Sequence, residues 1–406
     1  MEALPTGPQL SRRTLLFGIP AAALLSSGLL ETLAGTASAA VADTAGRVGG
    51  SRALSVRGAD ISFTLQEYAV GNHFRDHGRV GSVEDILVEH GANYARLRLW
   101  VNPPAGYSDL ASVLKAAGRA KRAGMKILLD LHYSDFWADP GHQNIPAAWA
   151  GQDLATLAET VYAYTRDTIA TLARHGTAVD MVQIGNEVTA GMLWPLGQIY
   201  LTSTPNFPDF ATLVNAGIRG ARAGNPRHHD MRIMLHIDRG GDNGGSIWFF
   251  DHVMAAGVTD FDVIGQSYYP FWHGPMSALT ANLNDLAPRY GKDIVVAETA
   301  YPWTLADGDD LANGFSDAGQ LPDGNLYPPT PQGQAAYFEA LRAVLLGVPD
   351  GRGVGFLDWE PEWIPGVGWE PGAGNPNDNL TMFDFTGSAL PSLDAFRAPH
   401  GQRGER

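Results

Sequence analysis

Two short apolar runs in the sequence each end in a glutamate. Glu187 closes the run that begins at Asp180, and Glu298 closes the run that begins at Asp293. A carboxylate at the end of a buried strand, followed by a loop, is placed for chemistry rather than for packing. The chain between them is long enough for three βα units of roughly 30–40 residues each. We therefore expect the pair on strands four and seven of a parallel array, where two carboxylates suit the cleavage of a glycosidic bond.

Polar and aromatic side chains also close the other apolar runs. Barrel enzymes build their sites from the carboxyl ends of strands, whereas a barrel built only for stability gives no reason for such a convergence. The strand-end residues are Asp60, Arg96, Arg98, Trp100, Asp130, His132, Tyr133, Asn186, His236, Asp238, Tyr268, Tyr269, Trp359 and Glu360.

The roles of the two glutamates depend on their neighbours. Taken singly, a strand-end glutamate more often caps a helix or pairs with an arginine, but the pair with Asn186 beside it favours catalysis. The Asn186 amide could hydrogen-bond a sugar 2-hydroxyl, a contact that strengthens in the oxocarbenium-like transition state. An arginine such as Arg96 near Glu298 would hold that carboxylate ionised. A drier or more negative setting would keep Glu187 protonated as the acid.

The elements that position these residues are eight predicted strands alternating with helical segments. Most of the runs are continuously apolar, as in strands covered on both faces. The pattern predicts a single (β/α)8 TIM barrel with long loops after strands seven and eight, at about residues 299–331 and 360–391. A doubly wound open sheet is the competing architecture. The predicted strands are residues 55–62, 94–100, 126–133, 179–187, 232–237, 262–268, 293–298 and 354–359.

The N-terminal region has the form of a twin-arginine signal peptide. Arg12 and Arg13 precede an apolar stretch that runs to Leu30, and small residues before Ala40 offer a cleavage site. A membrane anchor is the alternative, but glycine and proline interrupt the stretch and it falls short of the ~20 residues that a bilayer needs. We expect residues 1–39 to be removed near Ala39/Ala40, residues 40–52 to form a flexible lead, residues 53–400 to form the catalytic domain, and the protein to be secreted.

Composition narrows the partners. The chain carries a net charge of −15, which argues against nucleic acid or an anionic membrane as a partner of the mature form. It has no cysteine, which fits a chain that relies on a large core rather than on disulfides. Its ten tryptophans and thirteen tyrosines suit a neutral, ring-shaped ligand. The sequence thus favours a polysaccharide substrate, and a monomer is expected.

Several segments resemble glycoside hydrolase family 53, the arabinogalactan endo-β-1,4-galactanases. The resemblance implies a TIM barrel in which Glu187 is the proton donor and Glu298 the nucleophile, with retention of anomeric configuration. It also implies that Arg96 contacts the nucleophile and that the substrate is galactan or type I arabinogalactan. The similar segments follow one another in order along nearly all of the chain after residue 52, at residues 57–62, 96–103, 131–140, 183–187, 191–195, 267–271, 298–303 and 359–361.

We expect further strand-end and loop residues to bind the sugar. Flat aromatic rings stack on the apolar face of galactose, and Trp359 and Tyr268 are the candidates nearest the cleaved unit. His132 could hydrogen-bond a hydroxyl, although a lone strand-end histidine is as often a structural group. The full set of expected substrate-binding residues is Asp60, His132, Asp135, Trp137, His236, Tyr268, Trp303 and Trp359.

The loop after strand seven carries a possible metal site. Asp307, Asp309 and Asn313 alternate as in a calcium-binding turn, but calcium needs six to eight oxygens. The resemblance implies a structural Ca²⁺ that links this loop to the one after strand eight, with Asp378 as a partner. Leu311 stands where the family usually has histidine, and it can contribute only its carbonyl. A solvated acidic turn is the alternative, and catalysis itself is expected to need no cofactor.

Two other functions fit the same pattern. A related enzyme with the same machinery could act on another β-1,4-glycan such as mannan or xylan, and a barrel could bind sugar without catalysis. The presence of both glutamates with Asn186 and Arg96 argues against the second. A metal-dependent hydrolase is disfavoured because no His and Asp set has the needed spacing.

Overall fold

The computed structural model describes residues 53–225 and 230–398. The predicted signal peptide and the lead at residues 40–52 lie outside the described residues, as do residues 399 and 400 at the end of the predicted domain. No helix among the described residues is long and apolar enough to cross a membrane.

The architecture is a closed barrel of eight parallel strands, each hydrogen-bonded to its sequence neighbours, with the first paired to the last. This confirms the predicted TIM barrel, and the open-sheet alternative is wrong. Five of the observed strands are shorter than the predicted runs, mainly because the polar residues at their carboxyl ends already belong to loops. The fifth strand along the chain matches its predicted run, and the last two are each one residue longer. The strands are β1 (Val56–Asp60), β2 (Tyr94–Leu99), β3 (Lys126–Leu131), β4 (Met181–Ile184), β5 (Arg232–Ile237), β6 (Val263–Ser267), β7 (Asp293–Thr299) and β8 (Gly353–Trp359).

Helices return the chain between consecutive strands. Asp109 and Asp153 cap two of them by accepting the backbone N–H three residues later, which satisfies a donor that the first turn leaves free. A 3-10 helix, Pro391–Phe396, follows β8 and packs against the last α-helix. The helices are α1 (Val83–Glu89), α2 (Leu110–Ala123), α3 (Leu154–Arg174), α4 (Phe207–Gly224), α5 (Asn243–Ala255), α6 (Met276–Tyr290) and α7 (Pro331–Gly347).

Shorter elements decorate the connections. They are two short helices (Thr64–Ala69 and Pro270–His273), two hairpins (Phe74–Asp76 with Arg79–Gly81, and Gly191–Met192 with Gly197–Gln198), and 3-10 turns at Ala147–Trp149, Val188–Ala190, Ala318–Gln320, Pro349–Gly351 and Asp378–Leu380.

The barrel has an inner apolar layer that is separate from the larger core between strands and helices. Every strand contributes to this inner layer, with Tyr94, Leu128, Met181 and Met234 coming from β2 to β5. Side chains two residues apart in a strand point to the same face. The residues two positions further on must therefore also face inward, one layer closer to the carboxyl ends.

On β2 to β5, those next inward positions are polar. They are occupied by Arg96 on β2, Asp130 on β3, Gln183 on β4 and His236 on β5, and all four side chains are buried. The strand alternation that builds the apolar floor thus also places a polar layer directly above it, at the end of the barrel where TIM-barrel enzymes carry out their chemistry.

The two long predicted loops are present and are tied to each other. Asn379 Nδ2, in the loop after β8, donates to the carbonyl of Phe315 in the loop after β7 at 2.8 Å. Gln334 Nε2, in the first turn of α7, donates to the carbonyls of Tyr301 and Thr381, at 2.7 and 2.8 Å. These buried amides fix two segments that would otherwise be costly to order.

Candidate active site

The guanidinium of Arg96 is the centre of the polar layer. Its Nη2 lies 2.7 Å from Glu298 Oε1 and 3.0 Å from Asp130 Oδ2, and its Nη1 lies 2.7 Å from Asp60 Oδ2. All four side chains are buried. A buried charge is tolerated only when it is paired and hydrogen-bonded, and three carboxylates provide this for Arg96.

Glu298 is a buried carboxylate with two kinds of partner. Besides the ion pair with Arg96, its Oε2 accepts a hydrogen bond from the Tyr269 hydroxyl at 3.2 Å. Burial, with the charges of Asp130 and Asp60, raises the pKa of Glu298 to about 7, and the adjacent Arg96 opposes that shift. The ion pair therefore favours the ionised form that a nucleophile requires.

Glu187 has the opposite surroundings. Among the described residues, no arginine or lysine forms an ion pair with it, and its nearest polar partner is Ser267 Oγ, 2.6 Å from Oε1. Burial, then the negative charge of Glu298, then that of Asp238, raise the pKa of Glu187 well above its usual value. The two carboxylates are coupled, and because Arg96 forms an ion pair with Glu298 and not with Glu187, a proton shared by the two favours Glu187.

The backbone at Glu187 is in the left-handed region, with φ +47° and ψ +50°. Tyr133 (φ +53°) and Glu360 (φ +54°), which follow β3 and β8, share this conformation. Non-glycine residues adopt it at a cost of roughly 1–2 kcal/mol, and such strain concentrates at functional sites. Three strand-to-loop transitions at this end of the barrel are therefore held in unusual geometry by their surroundings.

Asn186 precedes Glu187 in the chain and contacts Arg96, the ion-pair partner of Glu298. Its Oδ1 accepts from Arg96 Nη2 and from Gln183 Nε2, both at 2.9 Å, while its Nδ2 donates to the carbonyl of Ala138 at 2.8 Å. These partners fix the orientation of the amide. An amide nitrogen carries two hydrogens, and the contact of the second with a sugar hydroxyl stays a prediction.

Four of the expected substrate contacts, which stay predictions, already have hydrogen-bond partners within the protein. Asp60 is buried against Arg96 and Ser62. His132 Nε2 contacts Asp130 at 2.8 Å, and its Nδ1 accepts from the Trp100 indole and the Ala138 amide. His236 is wholly buried, with Nδ1 3.0 Å from Asn186 Oδ1 and Nε2 2.9 Å from Ser267 Oγ. The hydroxyl of Tyr268 donates to the carbonyl of Gly274.

Two of the aromatic candidates, Trp137 and Trp359, lie next to each other and are partly exposed. The rings of Trp137 and Trp359 lie 6.1 Å apart, and the Arg98 guanidinium sits 4.1 Å from the centre of the Trp137 ring. Arg98 is held by an ion pair with Glu360 at 2.9 Å. A cation against the face of a ring helps to fix its position, and both tryptophans remain partly exposed.

Two other expected contacts tie loops together. Asp135 accepts the backbone N–H groups of Asn102 and Ala147, at 2.9 and 2.8 Å. Trp303 packs against Phe385, with 4.8 Å between ring centres, and so joins the loops after β7 and β8. Both side chains are half-buried, so each retains a solvent-facing part.

Four residues of the site have no role predicted from the sequence. Asp130, Gln183 and Ser267 lie in the polar layer, and Tyr269 contacts Glu298. The signal for the first two was available, since each lies two positions beyond an apolar residue that faces the barrel interior. The choice of Tyr269 over Tyr268 depends on the alternation of side chains after β6.

The expected metal ligands are brought together. Carboxylate oxygens of Asp307, Asp309 and Asp378 lie within 4.8 Å of one another, and Asn313 Nδ2 donates to Asp378 at 2.8 Å. Burial, with further contributions from Asp307 and Asp309, raises the pKa of Asp378 to about 6. The buried Asn313 Oδ1 lacks a hydrogen-bond partner among the described residues, so this cluster has the oxygen donors that suit Ca²⁺.

Comparison with known proteins agrees with this geometry. The model of glycosyl hydrolase family 53 matches residues 56–396. A probable arabinogalactan endo-beta-1,4-galactanase A of Aspergillus terreus is 41% identical over 350 residues, which cover 84% of this chain and 95% of the relative. The arabinogalactan endo-beta-1,4-galactanase A of Aspergillus niger is 38% identical over 352 residues, with 85% and 95% covered.

A solved structure, the GH53 catalytic domain of Ignisphaera aggregans, is 38% identical with a TM-score of 0.79, and the match covers 85% of this chain and 96% of that domain. The family match extends over nearly all of the barrel, including both strands that carry the paired glutamates. This chain belongs to glycosyl hydrolase family 53 and is a glycoside hydrolase.

Proposed function

We propose that the protein is an endo-acting, retaining β-1,4-galactanase that cleaves galactan and type I arabinogalactan by double displacement. The observation that carries the proposal is the asymmetry of the glutamate pair, in which Arg96 is 2.7 Å from Glu298 and Glu187 has no cationic partner among the described residues. The substrate follows from the named activity of the two Aspergillus relatives.

In the first step, Glu298 attacks the anomeric carbon of the galactosyl unit. The bond to the leaving oxygen breaks as Glu187 gives that oxygen its proton, and a covalent glycosyl-enzyme forms. In the second step, the ionised Glu187 takes a proton from water, the water oxygen attacks the anomeric carbon, and the bond to Glu298 breaks. The anomeric carbon is inverted twice, so its configuration is retained. Glu298 is then free and Glu187 protonated, as at the start of the reaction.

The surrounding residues prepare this chemistry. Arg96 and the Tyr269 hydroxyl hold the carboxylate of Glu298 in place, and Asn186 offers an N–H to the sugar 2-hydroxyl. Trp137 and Trp359 offer partly exposed faces on which galactose units can stack. Asp135 and Trp303 lie on loops suited to further units of the polysaccharide, and all eight predicted substrate contacts stay predictions.

Product release from purified glycans tests the proposal. We expect rapid hydrolysis of β-1,4-galactan, with viscosity falling well before most reducing ends appear, because an endo-acting enzyme cuts inside the chain. Mannan and xylan are the controls, since a related barrel with the same glutamates could act on either. Preferential hydrolysis of mannan or xylan would overturn the substrate assignment.

We propose further that Asp307, Asp309, Asn313 and Asp378 bind a structural Ca²⁺. The ion would offset the repulsion between the clustered carboxylates, and it would join the loops after β7 and β8. Leu311 lies beside the cluster, where its backbone N–H donates to Asp309 at 2.7 Å. Its carbonyl is the atom that could serve the metal, with water completing the six to eight ligands.

Removal of calcium is expected to lower the melting temperature by several degrees, because a ligand that binds only the folded state at about 100 times its Kd adds about 2.7 kcal/mol. Melting curves with and without a chelator measure this. Asp378→Asn should abolish the sensitivity to chelator, whereas Asp317→Asn, in an exposed turn of the same loop, should preserve it. An unchanged melting temperature in chelator would refute the site.

We also propose that the protein acts outside the cytoplasm, following export by the twin-arginine route and cleavage near Ala39/Ala40. The paired arginines at positions 12 and 13 support this proposal, as does the absence of cysteine, which is compatible with folding before export. N-terminal sequencing of the extracellular protein tests it. The monomeric state stays a prediction.

A further inference from the structure

A chain of short contacts runs from the proposed acid to the centre of the polar layer. Glu187 Oε1 lies 2.6 Å from Ser267 Oγ, which lies 2.9 Å from His236 Nε2. The other ring nitrogen of His236, Nδ1, lies 3.0 Å from Asn186 Oδ1. Ser267 and His236 are completely buried, so each of these atoms must find its partner within the protein.

The hydrogen-bond partners of Asn186 determine where the protons lie in this series of contacts. Asn186 Oδ1 accepts from Arg96 and Gln183, and its Nδ2 faces the Ala138 carbonyl, so the atom facing His236 is an acceptor. His236 Nδ1 must therefore carry a hydrogen. Burial, and then the charge of Arg96, lower the pKa of His236 well below its usual value, so the ring is neutral and its Nε2 has only a lone pair.

The neutral ring then sets the direction of the serine hydroxyl. Nε2 of His236 needs a donor, and the hydroxyl of Ser267 is the neighbour that can supply one. Once that hydrogen is committed to His236, the oxygen of Ser267 offers only lone pairs to Glu187. With the serine hydrogen directed at His236, the 2.6 Å contact between Ser267 Oγ and Glu187 Oε1 is a hydrogen bond only if Glu187 carries the proton.

We propose that Ser267 and His236 are positioning residues that hold the catalytic proton on Glu187, through a relay in which each group donates to the next, from Glu187 to Asn186. The inference rests on the proposed acid/base role of Glu187. When Glu187 has given its proton to the leaving oxygen, its carboxylate faces a serine lone pair. The ionised form is thereby made a stronger base, which favours removal of a proton from water in the second step.

Other charged groups also act on the two titratable members of the relay. Glu187 faces Glu298 from β7, Asp238 from the loop after β5 and Asp139 from the loop after β3, and all three favour its protonated form. His236 faces Arg96, Asp130 and His132, of which Asp130 alone favours the charged ring. These groups stay in place when Ser267 is replaced, so a change in that variant reports the relay.

The variant Ser267→Ala distinguishes the two possible directions of the hydroxyl. In the relay, the serine stabilises protonated Glu187, so its loss should move the basic limb of the kcat/KM profile on galactan to lower pH by about 0.5–1 unit. A serine that donated to ionised Glu187 would give the opposite shift. A basic limb that moves to higher pH, or stays unchanged, overturns the inference.

Two further variants control the experiment. His236→Asn keeps a donor near Asn186 but removes Nε2, which frees the serine hydroxyl to turn toward Glu187, so the basic limb should again move to lower pH. Ser392→Ala removes a buried hydroxyl that donates to Gln334 Oε1 at 2.7 Å, far along the chain from the relay. It should leave the profile unchanged while showing the general effect of losing a buried serine.

A measurement on the wild-type protein keeps the inference testable if the variants fail to fold. Neutron diffraction should show deuterium on Nδ1 of His236 and none on Nε2, and deuterium on Nε2 would overturn the relay. If wild type hydrolyses no galactan, the proposed function fails while this measurement still judges the relay. If wild type is active and Ser267→Ala shifts the wrong way, only the relay fails.

Discussion

Replacement of Glu298 by alanine is expected to lower kcat/KM on galactan on the order of 10⁴-fold or more, because the variant has no atom that can attack the anomeric carbon. The fold should survive, since Arg96 keeps its ion pairs with Asp60 and Asp130. Initial rates and melting curves measure the two effects. Near wild-type turnover in Glu298→Ala would refute the nucleophile assignment.

Azide separates the loss of the nucleophile from other causes. With an aryl β-galactoside that has a good leaving group, azide should occupy the space left by Glu298 and form the α-galactosyl azide, the product of one inversion. Glu84→Gln is the matched control, because Glu84, on α1, is also a buried glutamate and forms an ion pair with Arg119 at 2.6 Å. It should change stability more than turnover. An azide product of β configuration from Glu298→Ala would contradict the proposed roles.

Replacement of Glu187 by alanine should lower kcat/KM on galactan by about 10²- to 10⁴-fold, the usual contribution of a general acid. The loss should be small for dinitrophenyl glycosides, whose leaving group departs without a proton. Comparison of the two substrates in one variant is therefore its own control. Equal losses on both would indicate that Glu187 acts in some way other than proton donation.

The pH dependence of the same variant gives a second test. In wild type, activity needs Glu187 protonated and Glu298 ionised. Because the pKa of Glu187 is raised well above its usual value, activity should fall as the pH rises through that pKa, which forms the basic limb. The acid limb should follow protonation of Glu298. Glu187→Ala should lose the basic limb and keep the acid limb, and a persistent basic limb would point to another acid.

The sequence predicted the barrel because the signals for it are local. Apolar runs, helical spacing and strand alternation depend on residues within a few positions of one another, and these patterns identified all eight strands. The same alternation explains the polar layer, since Arg96 follows Tyr94 by two positions and Gln183 follows Met181 by two. Motif resemblance then narrowed the roles of Glu187 and Glu298.

Alternation alone would have misplaced Glu298. Val295 and Ala297 face the barrel interior, so the next residue of a regular strand points outward. The pairing of β6 with β7 shifts register between Gln266 and Ser267, so that Ser267 stands opposite Glu298. Such an irregularity turns a side chain toward the other face, and it is a property of two paired strands rather than of one sequence segment.

What the sequence determined by itself was which residues stand at the carboxyl ends of the strands, and its resemblance to the family predicted that Glu187 and Glu298 are the reacting pair. Only the tertiary structure decided how each polar atom is used. It assigned Asp60, His132 and His236 to the protein's own hydrogen bonds, and it chose Tyr269 over Tyr268 beside Glu298. Hydrogen-bond partners here lie on different strands, and a buried polar atom takes whichever partner the closed barrel brings within about 3 Å.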